Sequence, residues 1–232
     1  MKINTTHLSY LEFMKNERKT LGFLRNNSFI SNNFPVISAN ANIALYEYEN
    51  DRRLPVLTFK FHADFDLIIE KQQRRIVIEA LARPNFAEVS YVLSICENCT
   101  SPYALIRKFH FDYAIPIEND PVPKPVYHLQ YGGTITPRLS AMEIDVCGIK
   151  EWLSSPRIFN IPMNLALFLD LVFCEFRSEI TTGISERTEW RNFIKENEEI
   201  ILKPYFENIR SFINNHHHSN FLFRDFNYGR PI

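Results

Sequence analysis

The stretch RKFHFDYAIPIENDPVPKPVYHLQYGG, Arg107 to Gly133, is where the reading of the fold is decided. Phe109, Phe111 and Tyr113 alternate with Lys108, His110 and Asp112, the period of two that marks a strand with one apolar and one polar face. Tyr127, Leu129 and Tyr131 alternate in the same way with His128 and Gln130. The connector holds Pro116, Pro121, Pro123 and Pro125, and prolines in that density belong neither to a helix interior nor to a central strand. The pattern predicts a long-looped antiparallel hairpin. Its polar face would carry His110, Asp112, His128 and Gln130, and its apolar face would be turned toward a helix.

Working outward toward the N-terminus, a succession of strands precedes the hairpin at 43–49, 54–62, 65–70, 74–80, 88–96 and 103–113, with polar connectors such as Glu49-Asn50-Asp51 and Lys71-Gln72-Gln73. Parallel neighbours need crossovers of a dozen residues or more, and none fits between these runs. An antiparallel meander follows. Ahead of it, 6–27 reads as a helix capped by Thr5 or Thr6. Beyond it, 134–139 reads as a last strand, 149–153 as a short helix, and 161–176 as a long apolar helix with Asn160 as cap and Pro162 in its first turn. A polar loop over 181–185 then leads to two helices, 186–202 and 205–214, broken at Pro204. The expected architecture is α+β: one domain over 1–232, with an N-terminal helix and loop (1–34), an antiparallel sheet (35–140), a helical part (141–215) packed on that sheet, and an aromatic tail (216–232).

Hydrophobic residues make up 45% of the 232 and charged ones 23%, enough apolar material for one core and too little charge for a disordered chain. A formal net charge of -1 argues against the global basic field of a sequence-independent nucleic-acid binder. The first residues lack an apolar leader, no apolar run approaches membrane-spanning length, and the four cysteines suit a reducing compartment. Those features predict a cytoplasmic protein without a membrane segment. Phosphate-loop, dinucleotide and nucleophile-elbow glycine motifs are absent from the sequence.

Chemistry is offered first by His110, Asp112 and His128. A histidine oriented by a carboxylate carries protons near neutral pH, although the same residue types also suit a solvated strand face. A second group, His62, Asp64 and Asp66 with Glu70 and Glu79 downstream, has carboxylates at the alternate positions a magnesium site uses, but the lysine of a restriction-type nuclease core is missing after Glu79. Cys96 and Cys99 form a single C-x-x-C pair, while Cys147 and Cys174 stand alone, so structural thiols are expected. The His216-His217-His218 run reads as a solvated helix end. No metal and no cofactor is expected.

The order F-D-Y at 111–113, Y-H-L-Q-Y-G-G at 127–133, a downstream R-L at 138–139, S-P-R-I-F at 155–159 and a Phe-rich helix to Phe176 resembles a poorly characterised bacterial family. There an acidic strand is followed by an H-x-H-x-G strand, an arginine segment and an F-x-x-F helix. The likeness spans 109–176, and Gln130 stands where the family's second histidine falls. It implies a component of mobile-element or phage-defence loci and fixes no activity. The missing catalytic signatures, the basic first helix (Lys15, Arg18, Lys19, Arg25) and the aromatic tail (Phe221, Phe223, Phe226, Tyr228) predict an accessory or interaction subunit of an intracellular bacterial complex. It would bind a protein partner, and nucleic acid through that partner or the basic patch. The alternative is a small hydrolase or nuclease using His110, Asp112 and His128.

Overall fold

The computed structural model describes residues 10–26, 43–49, 52–69, 71–83, 86, 88–97, 104–113, 126–132 and 157–215. Within them runs an antiparallel sheet of strands β1 (Ile43–Glu49), β2 (Arg52–Ile69), β3 (Gln72–Ala82), β4 (Val89–Glu97), β5 (Leu105–Tyr113), β6 (Tyr127–Tyr131) and β7 (Arg157–Phe159). Spatial order equals chain order, so every neighbour is the next strand in sequence. The helices are α1 (Tyr10–Asn26), α2 (Leu165–Glu175), α3 (Glu179–Ser185) and α4 (Thr188–Asn215). The architecture is α+β, with the helices packed on an antiparallel meander. No described helix is long and apolar enough to cross a membrane.

One sheet face supplies the main core. Phe61, Ile76, Ile78, Ala80, Tyr91 and Leu93 are buried there against Phe13 and Met14 of α1, Leu165, Phe168 and Val172 of α2, and Trp190 and Phe193 of α4. Phe168 meets both Tyr91 and Phe111 at ring-centroid distances of 5.4 Å, which brings the apolar face of the hairpin under α2. The second half of α4 closes a smaller cluster of Val126, Tyr127, Tyr205 and Phe212.

Several local expectations need correction. The runs 54–62 and 65–70 are one strand, because the apolar–polar alternation continues unbroken through Ala63 and Asp64. β1 pairs with Arg52–Thr58 of β2, and β3 with Phe59–Ile69, so this one strand serves two partners in succession. The turn into β3 is tighter than expected, with Ile69 paired to Gln72 and Lys71 in the left-handed region at φ 66.

The long apolar helix begins at Leu165, not near Ile161, because Asn164 is its cap: the Leu167 N–H donates to the Asn164 side chain at 3.0 Å. Residues 181–185 are helical, since Ser178 and Thr181 form a reciprocal capping box that starts α3 at Glu179. α4 runs through Pro204 without a break. The proline forfeits one backbone bond, and burial of Tyr205 and Phe212 beyond it outweighs that loss. β7 was not anticipated. The readings at 134–139 and 149–153, the caps at Thr5 and Thr6, the Pro-rich connector, the tail residues Phe221, Phe223, Phe226 and Tyr228, and Cys99, Cys147 and His216–His218 lie outside the described residues.

Candidate functional site

The predicted hairpin forms: His110 pairs with Gln130 and Asp112 with His128 across β5 and β6. Directly opposed residues share a face, and the same face continues onto β4, where Ser90 opposes Asp112, Val92 opposes His110 and Ser94 opposes Lys108. It reaches β3 through Glu79, opposite Val92, and β7 through Arg157, opposite Gln130. The three segments F-D-Y, Y-H-L-Q-Y and R-I-F thus become neighbouring strands.

This face is not the solvated surface its polarity implies. Lys108 and Ser94 have no solvent exposure, His128 is 3% exposed and Gln130 8%. Burying such groups is unfavourable unless each finds a partner, and most do. The Ser90 hydroxyl donates to Asp112 Oδ1 at 2.5 Å, and His128 Nε2 stands 3.8 Å from Asp112 Oδ2. The Lys108 ammonium is pulled down to about 8 by burial, an effect that the carboxylates of Glu79 and Asp112 oppose.

His110 differs. Burial, the neighbouring Lys108 charge and, to a lesser degree, His128 push it down to about 4, against a backbone hydrogen bond with Gly132. The Gly132 N–H already donates to the Lys108 carbonyl at 2.8 Å. The Gly132 carbonyl is therefore the acceptor of the ring N–H. Nε2 is buried with no hydrogen-bond partner among the described residues, so Nδ1 makes that bond and Nε2 holds a free lone pair. Gly132 has φ 92, a conformation that favours glycine. Ser94 Oγ is the other orphan on this face.

The sequence brought His110, Asp112 and His128 to one face, and the structure brings them together. It set Lys108 on that face without a role and missed Ser90 and Ser94. Ser90 and Ser94 sit inside the run VSYVLSIC, and their even spacing was the available signal.

The remaining candidates are more dispersed. Asp66 is held by Arg75, whose Nε and Nη2 donate to its carboxylate at 2.8 and 3.0 Å, while the His62 and Asp64 side chains and Glu70 lie outside the described residues. No cluster of His, Cys, Asp and Glu suited to a metal ion occurs among the described residues. Of the basic set, Lys15, Arg18 and Lys19 are exposed on α1, and the Arg25 side chain lies outside the described residues. Lys19 pairs with Glu196 of α4 and lies over the Phe193 ring at 5.3 Å, so part of that charge is already matched. Cys96 is buried, but Cys174, expected as a structural thiol inside the apolar helix, is exposed. Comparisons of the chain with family models, with curated proteins and with solved structures found no match to any of them.

Proposed function

We propose that the chain is a small hydrolase whose general acid–base centre is His110, Asp112 and His128. The support is the state of His110. Its Nδ1 is fixed by the Gly132 carbonyl and its Nε2 is desolvated and unpartnered among the described residues, which is how a general base is held before substrate arrives. Pushed down to about 4 by burial and the Lys108 charge, the ring is neutral at pH 7 and Nε2 is a hydrogen-bond acceptor. His128 stands beside Asp112 and holds that carboxylate at the centre. Lys108 supplies positive charge for a developing oxyanion.

Chromogenic assays with p-nitrophenyl acetate and bis(p-nitrophenyl) phosphate, with and without divalent metal, test this reading. Turnover of either should fall by about 100-fold or more in His110→Gln and in His128→Ala. Unchanged turnover in both variants removes the centre, and cleavage of the phosphodiester alone makes the enzyme a nuclease.

A second reading, an accessory subunit of an intracellular bacterial assembly, has separate support. Phe206 and Ile213 are 51% and 47% exposed and seven residues apart on α4, hence on one helix face. A protein partner would cover them, with nucleic acid reached through that partner or through Lys15 and Arg18. Stoichiometric capture of a partner from the native host, lost in Phe206→Glu, distinguishes this reading from a self-contained enzyme.

A further inference from the structure

We propose that Ser94 is the covalent nucleophile of this centre, activated by His110, and that the substrate is an uncharged carboxylic ester. The inference rests on the hydrolase reading and adds to it the identity of the attacking atom and the class of substrate.

Two buried polar atoms on the polar face lack a hydrogen-bond partner among the described residues, Ser94 Oγ and His110 Nε2. They lie on adjacent strands. Ser94 opposes Lys108, and His110 is two residues further along β5, so the two are diagonal neighbours. Diagonal neighbours are about 7–8 Å apart at the backbone, within reach of an imidazole. One is a hydroxyl that needs an acceptor, and the other is a ring nitrogen left as an acceptor because Nδ1 is committed to Gly132. A nucleophile, a base and a third group orienting the base is the arrangement that activates a serine, and the bond between the first two is often long until substrate binds. Leaving two such groups buried and unmatched costs stability, a cost commonly found at functional sites.

The chemistry balances on these atoms. The Ser94 Oγ lone pair bonds to the carbonyl carbon as its proton passes to His110 Nε2. The carbon–oxygen bond to the alcohol breaks, and the departing alkoxide takes the proton from Nε2. Water then attacks the acyl-serine, giving a proton to Nε2, and that proton returns to Oγ as the carboxylic acid leaves. Lys108, directly opposite Ser94, faces the transient oxyanion. Charge selects the substrate class: Lys108 is neighboured by two carboxylates, Glu79 and Asp112, so the centre repels a phosphodiester anion and admits a neutral ester.

The test treats the purified full chain with a short-chain alkyl fluorophosphonate and locates the adduct by peptide mass spectrometry. The adduct should form on Ser94, vanish in Ser94→Ala, and form about 100-fold more slowly in His110→Gln. Ser94→Ala removes a hydroxyl with no hydrogen-bond partner among the described residues and should melt at or above the wild-type temperature. A readout that needs no probe entry is the ¹⁵N resonance of His110 Nε2, which should shift in Ser94→Ala while Nδ1 does not. A missing adduct with an unmoved Nε2 resonance overturns the inference. If p-nitrophenyl acetate turnover then still depends on His110, water is the nucleophile and the hydrolase reading stands; if turnover is absent, that reading falls as well.

Discussion

Glu17 shows how much one side chain can tie together. It lies on α1 without solvent exposure, accepts from the Tyr91 hydroxyl at 2.8 Å, and receives the Leu165 N–H at the start of α2 at 3.0 and 3.2 Å. Burial raises its carboxyl to about 7 from the ordinary 4.5, although both hydrogen bonds favour the charged form. A carboxyl whose folded pKa lies above its unfolded value contributes stability that is complete below the unfolded pKa and is lost as pH rises through the folded one. Between pH 5 and 8, urea midpoints of the wild-type chain should therefore fall, with this group contributing on the order of 3 kcal/mol. Glu17→Gln should flatten that slope, and an equal slope in both proteins would mean that other groups set it. Lys108, held down at about 8, works in the opposite sense and at higher pH, its burial becoming less costly as the ammonium loses its proton. At this scale the candidate site was legible through the period of two that set His110, Asp112 and His128 on one face. Its burial was not legible, because alternating polar residues read locally as solvent-facing, and only the packed molecule shows Lys108 and Ser94 without exposure.

Among the elements, the cap of α2 is where sequence and structure part most instructively. Pro162 suits a helix's first turn, so the chain reads as helical from Ile161, yet Asn164 has a better use: its carbonyl caps Leu167 while its amide donates to Asn197 Oδ1 at 2.6 Å. Asn16 donates to the same oxygen at 2.5 Å, which joins α1, α2 and α4 through three buried asparagine side chains. Asn164→Ala removes the cap and leaves Asn197 with one donor fewer. A loss of about 1–2 kcal/mol is expected from thermal or denaturant melts, and a change below a few tenths would show that the network is dispensable. α3 escaped notice for a related reason: its box uses Thr181 where the familiar pattern has an acidic or amide residue, so Ser-x-x-Thr reads as loop. β7 is only three residues long and carries no period of its own. The strands from β2 to β6 were readable because each is either an alternating run, as in β5 and β6, or a short apolar run, as Ile76-Val77-Ile78 in β3 and Tyr91-Val92-Leu93 in β4.

Across the whole molecule, nearest-neighbour strand order coexists with helices drawn from both ends of the chain. The helical layer leaves Phe206 and Ile213 uncovered on α4 and Tyr131 and Ile158 on β6 and β7. The double variant Phe206→Glu/Ile213→Glu should change stability by no more than about 0.5 kcal/mol per site while abolishing capture of any partner that docks on α4. Loss of folding would instead assign that face to the core. The separation in sequence between α1 and what it touches has a consequence in time. Asn16 bonds to Asn197, which is 181 residues away, and Glu17 to Leu165, 148 away. At typical translation speeds the ribosome needs roughly 10–40 s to cross the first gap. The meander can zip strand by strand during that interval, but the bonds from α1 to α2 and α4 must wait. Until α2 and α4 follow, Asn16 lacks Asn197 and Glu17 lacks the Leu165 N–H, so only sheet-side contacts, such as Tyr10 with the Ala82 carbonyl and Glu17 with Tyr91, can hold α1 in place.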